Sequence, residues 1–472
     1  MRCDQEPASR KDERLGVKSM KAIMRSGLYR GIAVLLAVMM ILGDFSLAAA
    51  DDLFDVLPLD DGSVMITGYK GSESDLVLPE KIGGQTVSAL GRNFSANTAC
   101  VTNFRSITIP DTLTTIEPGA LFLAGNLADI RITGDHPVLA FEDDALYHRE
   151  EKRLILYLQG SKADHFDIQD GIKYIDERAF YRTGLVSVRI PGSVEKIGAG
   201  CFDQSYRLKD VLLEEGLKTI GTESFANCDK LKQIVIPASV TEIEEAAFID
   251  NHLQEIQVAP GSQAFTVSDG ALINTREGIL IAHPEYSEAE SCIIPEGTTR
   301  IGNFAFYRAH HLKEITFPDG LLEIGHGAFL SCNHLTAIEL PDSVARLEDS
   351  AFGDNGDAVR LHIPAGVTEI VNNFNDLGIP ELQIPETVTT IKGSFCSLRN
   401  LTEVEIPGSV NTISQGSFAF CRNLAAITIP ASVTDFSCTL IGCAKSLAVK
   451  TEAGSSVEQY CREHQMPYEN LE

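Results

Sequence analysis

Residues 231–251, "LKQIVIPASVTEIEEAAFIDN", decide how this chain folds. Ile234 and Ile236 alternate with Gln233 and Val235, the period of a short strand with one face toward a core. Pro237 then stops it. Proline has no N–H to give to a ladder, so it belongs where a strand ends and the chain turns away. Val240 and Ile243 follow, and Phe248 comes five residues after Ile243.

The phrase recurs. Strand-like segments end on Pro110, Pro191, Pro237, Pro318, Pro341, Pro364, Pro385, Pro407 and Pro430, while Thr133, Gln169, Glu214, Pro260 and Pro295 hold the same register. From 110 onward the intervals are 23, 36, 22, 23, 23, 23, 35, 23, 23, 23, 21, 22 and 23 residues. A near-constant period of 23 is the signature of a stacked repeat array, in which no unit can bury its apolar face alone. The "EEAAF" part of each unit reads as a single helical or tight turn. The two long intervals hold "GDHPVLAFEDDALYHREEKRLILYLQG" (134–160) and "GSQAFTVSDGALINTREGILIAHPE" (261–285). Each has apolar segments around a polar turn and is expected to form an inserted β-hairpin projecting from one edge.

Of the 472 residues, 44% are hydrophobic and 22% charged, enough to bury a large core. The 39 Lys+Arg against 66 Asp+Glu give a net charge of −27, spread along the chain. A nucleic-acid partner needs a basic face, so the composition argues against one.

Lys18, Lys21, Arg25 and Arg30 precede the apolar run "GIAVLLAVMMIL" (31–42), which leads to "SLAAA" and "DD". This order predicts a secretory signal over 1–50, cut after Ala50, with Met20 as a possible true start. The apolar run is short against the roughly 20 residues of a membrane span, so membrane contact is expected only in transit. Removing the segment takes 8 basic and 5 acidic residues and leaves 31 against 61, a net of −30.

The phrase "IP-x-S-V-x-x-I-G-x-x-A-F-x-x-C-x-x-L", nearly complete at 191–208, 237–253 and 318–335, resembles the BspA-like, or Treponema pallidum type, leucine-rich repeats of bacterial surface proteins. The resemblance covers most of the chain from residue 76. It implies a β-rich, α/β-type solenoid: a right-handed leucine-rich-repeat array with a parallel sheet and short turns, used for binding and in some members for adhesion to host matrix or other cells. Residues 51–106 are similar to the opening cap with a first repeat, 107–447 to the repeats, and 448–472 to the closing cap, with a short helix at 455–464.

Ten of the 11 cysteines follow the signal segment. Cys228, Asn251, Cys332, Asn355 and Cys421 all stand three residues after the repeat Phe. A slot that takes Cys or Asn is an interior position where a small side chain meets backbone. Cys228 and Cys332 are more than four coils apart, ~20 Å at about 4.8 Å per strand, beyond the ~7 Å reach of a disulfide. Pairing is more plausible among Cys438, Cys443 and Cys461. No Cys-x-x-Cys, His-Glu-x-x-His, Gly-x-Ser-x-Gly or phosphate-loop pattern occurs, so neither cofactor, metal nor catalytic residue is expected. His310-His311, Glu214-Glu215, Glu244-Glu245 and the acids at 142–144 read as solvated coil.

Binding is a different matter. In each strand the residue between the two Ile positions, and the one before them, point away from the core. In the later coils this outward stripe runs Glu314/Thr316, Ala337/Glu339, Arg360/His362, Glu381/Gln383, Glu403/Glu405 and Ala426/Thr428. Its candidate binding face comprises Glu339, Arg360, His362, Glu381, Gln383, Glu403 and Glu405, with Glu381, Glu403 and Glu405 forming an acidic patch. The sequence therefore predicts an exported, non-enzymatic solenoid that binds an extracellular protein or cell-surface ligand. The alternatives are an envelope spacer and, last, an exported hydrolase.

Overall fold

The computed structural model describes residues 52–98, 104–437 and 440–471; the expected signal segment and Met20 lie outside them. Each regular coil contributes two strands, where the sequence pattern predicts one sheet. The "I-x-I" half forms strands such as Gln233–Ile236, and the "V-x-x-I" half forms two-residue strands such as Glu242–Ile243. Both stack in parallel on equivalent residues of the next coil, Val188 opposite Val211 in the first ladder and Ile220 opposite Ile243 in the second. Two residues are too few to show an alternation, so the second ladder is hidden in the sequence. The "EEAAF" part is a tight turn with two left-handed residues four apart, Ala246 (φ 56°) and Asp250 (φ 52°) in this coil. The result is a β-rich solenoid. Among the described residues its α-helix is Ser456–Glu463, capped by Ser455, whose hydroxyl accepts from the Glu458 N–H.

Hydrogen bonds account for the repeated letters. The Pro237 carbonyl accepts from the Val240 N–H at 3.2 Å, closing a turn that recurs from Pro341 to Val344 and from Pro407 to Val410. The serine of "P-x-S-V" donates to the preceding coil: Ser239 to the Leu217 carbonyl at 2.9 Å, Ser343 to Leu321 at 2.6 Å, Ser409 to Val388 at 2.8 Å. The Cys/Asn slot does the same for the repeat Phe. Cys228 donates to the Phe202 carbonyl at 3.3 Å, Cys332 to Phe306 at 2.9 Å, Asn355 to Phe329 at 3.0 Å and Cys421 to Phe395 at 3.2 Å. Each pair satisfies a buried carbonyl that water cannot reach. Asn251 differs and donates to the Phe248 carbonyl of its own coil. Replacing Asn355 by Leu strands the Phe329 carbonyl and should cost about 1–3 kcal/mol, read as a lower urea midpoint. Cys332→Ser keeps a donor and should cost less.

Beneath the turns runs a column of parallel rings. Phe180, Phe202, Phe225 and Phe248 stack at 4.8, 5.3 and 5.9 Å. A second run, Phe306, Phe329, Phe352, Phe374, Phe395 and Phe418, stacks at 4.7–5.8 Å.

The insertions do not project. Each is a three-stranded antiparallel meander built into the wall: Leu139–Glu142, Ala145–His148 and Arg153–Tyr157 in one, Phe265–Ser268, Ala271–Asn274 and Ile279–Ala282 in the other. The last strand of each enters the second ladder, with Leu154 opposite Ile175 and Leu280 opposite Ile301. The middle strands, "ALYH" and "ALIN", are buried throughout. Ala145 and Tyr147 pack on the core downstream while Leu146 packs on the core upstream. The meanders thus partition the interior into three hydrophobic cores. A consecutive apolar run, rather than alternation, is the sequence sign of a strand buried on both faces.

Each meander also supplies the ring that begins the next column. Tyr157 stacks on Phe180 at 5.3 Å, and His283, at the equivalent place, stacks on Phe306 at 5.1 Å. His283 is buried with no partner for either ring nitrogen, and Glu285 beside it leaves Oε2 unpaired while Oε1 lies 3.3 Å from His310 Nε2. Both border a cavity of about 20 Å³.

Burial lowers His283 to about 4 and raises Glu285 to about 8. The folded state keeps His283 neutral where the unfolded chain takes up a proton, so stability falls as pH drops from about 6.5 toward 4, by about 3 kcal/mol in total. The folded state keeps Glu285 protonated where the unfolded chain releases its proton, so its contribution falls as pH rises from about 4.5 to 8. His283→Phe should flatten the acid limb of stability against pH, and Glu285→Gln the other limb. Urea midpoints measured from pH 4 to 8 check both.

Candidate functional site

Leu382, Val404 and Ile427 point inward, so their neighbours stand outward on the first ladder. All seven predicted face residues are exposed there. They do not form one unit. Arg360 Nε lies 3.6 Å from Glu339 Oε1, and His362 Nε2 lies 3.6 Å from Asp342 Oδ1, so the acids of one coil find partners on the next. Glu381, Gln383, Glu403 and Glu405 instead converge on a groove of about 530 Å³, completed by Thr402, Ala426, Thr428 and Lys450. A second depression of about 520 Å³ shares Gln383, Glu405 and Thr428 with it and adds Glu386, Pro407 and Glu452.

The expected stripe of evenly spaced strands is interrupted at this place. Strands Ala337–Glu339 and Arg360–His362 pair with each other, and Glu403–Glu405 pairs with Ala426–Thr428, but residues 381–383 pair with neither side. Pro380 accounts for the break on the side of the coil before. The residue at its position in other coils donates to the coil before: Thr336 N–H to Lys313 at 3.0 Å, Val359 to Thr336 at 3.0 Å, Ala425 to Thr402 at 2.7 Å. Proline cannot. The doubled proline of "GIPELQIP" carries this signal, and single-proline neighbours such as "AVRLHIP" lack it.

The electrostatics of the groove follow from what is missing around it. Elsewhere on the first ladder basic side chains sit beside the acids: Arg131 with Asp129 at 2.8 Å, Arg189 with Glu214 at 2.7 Å and Asp170 at 3.3 Å. Among the described residues Glu381, Glu386, Glu403 and Glu405 have neither an ion-pair nor a side-chain hydrogen-bond partner. Glu452 accepts from the Ala431 N–H at 2.6 Å.

Several acids outside the groove are spent on structure. Glu215 accepts from the N–H groups of Ala238 and Ser239, Glu244 from the N–H and hydroxyl of Thr222, and Glu245 from Arg300 and Asn303. Among the described residues no three His, Cys, Asp or Glu side chains converge as metal ligands, and no helix is long and apolar enough to cross a membrane. Cys443 and Cys461 are unbonded, and Cys438 lies outside the described residues.

Solved structures that resemble the chain include three bacterial proteins. A leucine-rich-repeat protein from Eubacterium ventriosum is 20% identical with a TM-score of 0.50, covering 65% of this chain and 95% of its own. The pneumococcal vaccine antigen PcpA is 18% identical with a TM-score of 0.48, covering 89% and 96%. A leucine-rich cell surface protein from Faecalibacterium prausnitzii is 22% identical with a TM-score of 0.42, covering 86% and 95%. No curated protein matches. The sequence profile of the BspA type leucine rich repeat region, six copies long, matches residues 157–272, 285–393 and 323–448, more than half of the chain. With the 23-residue coils, the stacked ladders and that match together, the chain belongs to the BspA-type leucine-rich-repeat family.

Proposed function

We propose that this chain is an exported protein-binding solenoid, acting in secreted form or at the cell surface, and that it meets its partner through the outward face of the first ladder around Glu381, Gln383, Glu403 and Glu405. One observation carries the reading: a groove on which Glu381, Glu403 and Glu405 converge with no partner among the described residues, while Arg131, Arg189 and Arg360 sit beside acids elsewhere on the same face. A spacer needs length alone and has no use for such a place. Membership of a repeat family used for protein interaction supports the general role, and the signal pattern at 1–50 supports export. Adhesion is the form of binding that the family resemblance implies.

The test is capture by the immobilised full-length chain from a mixture of extracellular matrix proteins, repeated with Glu403→Lys/Glu405→Lys. A protein retained by the parent and lost from the variant is the expected result. Retention that ignores every substitution on the face removes the reading, and retention of nothing favours the spacer.

A further inference from the structure

The groove also indicates what kind of partner fits it, provided the binding reading above holds. We infer that it receives an extended protein segment carrying basic side chains at alternate positions.

Charge comes first. Glu381, Glu403 and Glu405 project from two adjacent coils, Glu386 and Glu452 stand along the adjoining depression, and among the described residues Lys450 is the one cation on the walls of either. A neutral or acidic segment would leave these carboxylates to lose solvent without compensation, whereas Lys or Arg supplies charge-assisted hydrogen bonds. Arg131, Arg189 and Arg360 do this for Asp129, Glu214 and Glu339 upstream, and among the described residues none does it for Glu381, Glu403 and Glu405.

Spacing comes second. Glu403 and Glu405 are two residues apart on one strand, roughly 6.6–7 Å, which equals the same-side repeat of any extended chain laid beside them. Glu381 lies on the same groove, one coil before them. A helix repeats its side chains at three and four residues, some 5–6 Å apart between neighbours, and would match a single carboxylate at a time. The lining agrees with an extended occupant, since Gln383, Thr402 and Thr428 offer side-chain hydrogen-bonding groups beside the carboxylates, and the apolar Leu382 and Val404 of the same walls are buried.

The probes are two fluorescent decapeptides of equal charge, one alternating Lys and Thr, the other five Lys followed by five Thr, titrated onto the full-length chain by anisotropy. The alternating peptide should bind at least tenfold more tightly than the block peptide, and more weakly as salt rises. Glu403→Lys/Glu405→Lys should weaken it by tenfold or more. Asp210→Lys/Glu314→Lys changes net charge equally at exposed acids outside the groove and should leave binding within about twofold. Equal loss in both double variants would mean that only overall charge is felt, and equal affinity for the two peptides would remove the extended geometry; either overturns the inference. If matrix-protein capture still depends on Glu403 and Glu405 while the alternating peptide shows no preference, the partner chemistry fails and the binding face stands. If capture ignores the face altogether, both fail.

Discussion

Phe329→Ala should cost about 3–5 kcal/mol, seen as a lower urea midpoint with little change in slope. Phe329 is fully buried, stacked on Phe306 at 4.7 Å and Phe352 at 4.9 Å, with Phe317 edge-on at 5.8 Å. Its removal loses the transfer energy of a phenyl ring and leaves a void, and the neighbours above and below cannot close on it because the ladders fix their spacing. Phe420→Ala is the control. Phe420 is 51% exposed, and its loss should stay within about 0.5 kcal/mol. A cost at Phe329 below about 1 kcal/mol would mean that the ring column is incidental to stability.

The second large effect is expected at the first meander. Arg153 Nε lies 2.9 Å from Asp176 Oδ1, and a terminal nitrogen of the same guanidinium lies 2.6 Å from Oδ2. Asp176 is 5% exposed at its side chain and Arg153 17%. Arg153 also donates to the Ile116 carbonyl at 3.1 Å, across the place where the second ladder is interrupted. Asp176→Ala leaves that guanidinium with only the half-exposed Glu151 carboxylate as its anion and should cost about 3 kcal/mol. The double variant Arg153→Met/Asp176→Leu should recover much of this, because the penalty lies in the uncompensated charge. If the double variant is no more stable than Asp176→Ala, the guanidinium contributes through the Ile116 carbonyl instead, and the assignment is wrong.

The repeat was legible because its physics is local. Pro237 and its equivalents mark the strand end, Ile234 and Ile236 the inward face, and the residue three after Phe248 the slot for a small interior donor. What the letters conceal is the direction in which that donor reaches. The hydroxyl of Ser239 and the thiol of Cys228 both serve the coil before, and such a bond lies more than 20 residues away along the chain. The second ladder is concealed by its brevity. The meanders are misjudged because alternation and continuous burial look alike in four-residue strands, although "ALYH" and "ALIN" carry the distinction.

The candidate site was legible in part. Strand parity alone places Glu381, Gln383, Glu403 and Glu405 outward, and it places Glu339, Arg360 and His362 outward equally. Only side-chain geometry separates the two groups, since Glu339 and Arg360 meet each other while Glu381, Glu403 and Glu405 have no ion-pair partner among the described residues. Pro380 could have been read as a ladder break from the doubled proline, because the missing N–H is a property of the residue itself.

The central claim is that the face around residues 381–405 meets the partner. Amide hydrogen exchange of the full-length chain, with and without the captured matrix protein, tests it most directly. Slower exchange on binding is expected in residues 381–384, 403–405 and 426–428, which border the groove. Slowing confined to the strands between 165 and 258, with 381–428 unchanged, would contradict it.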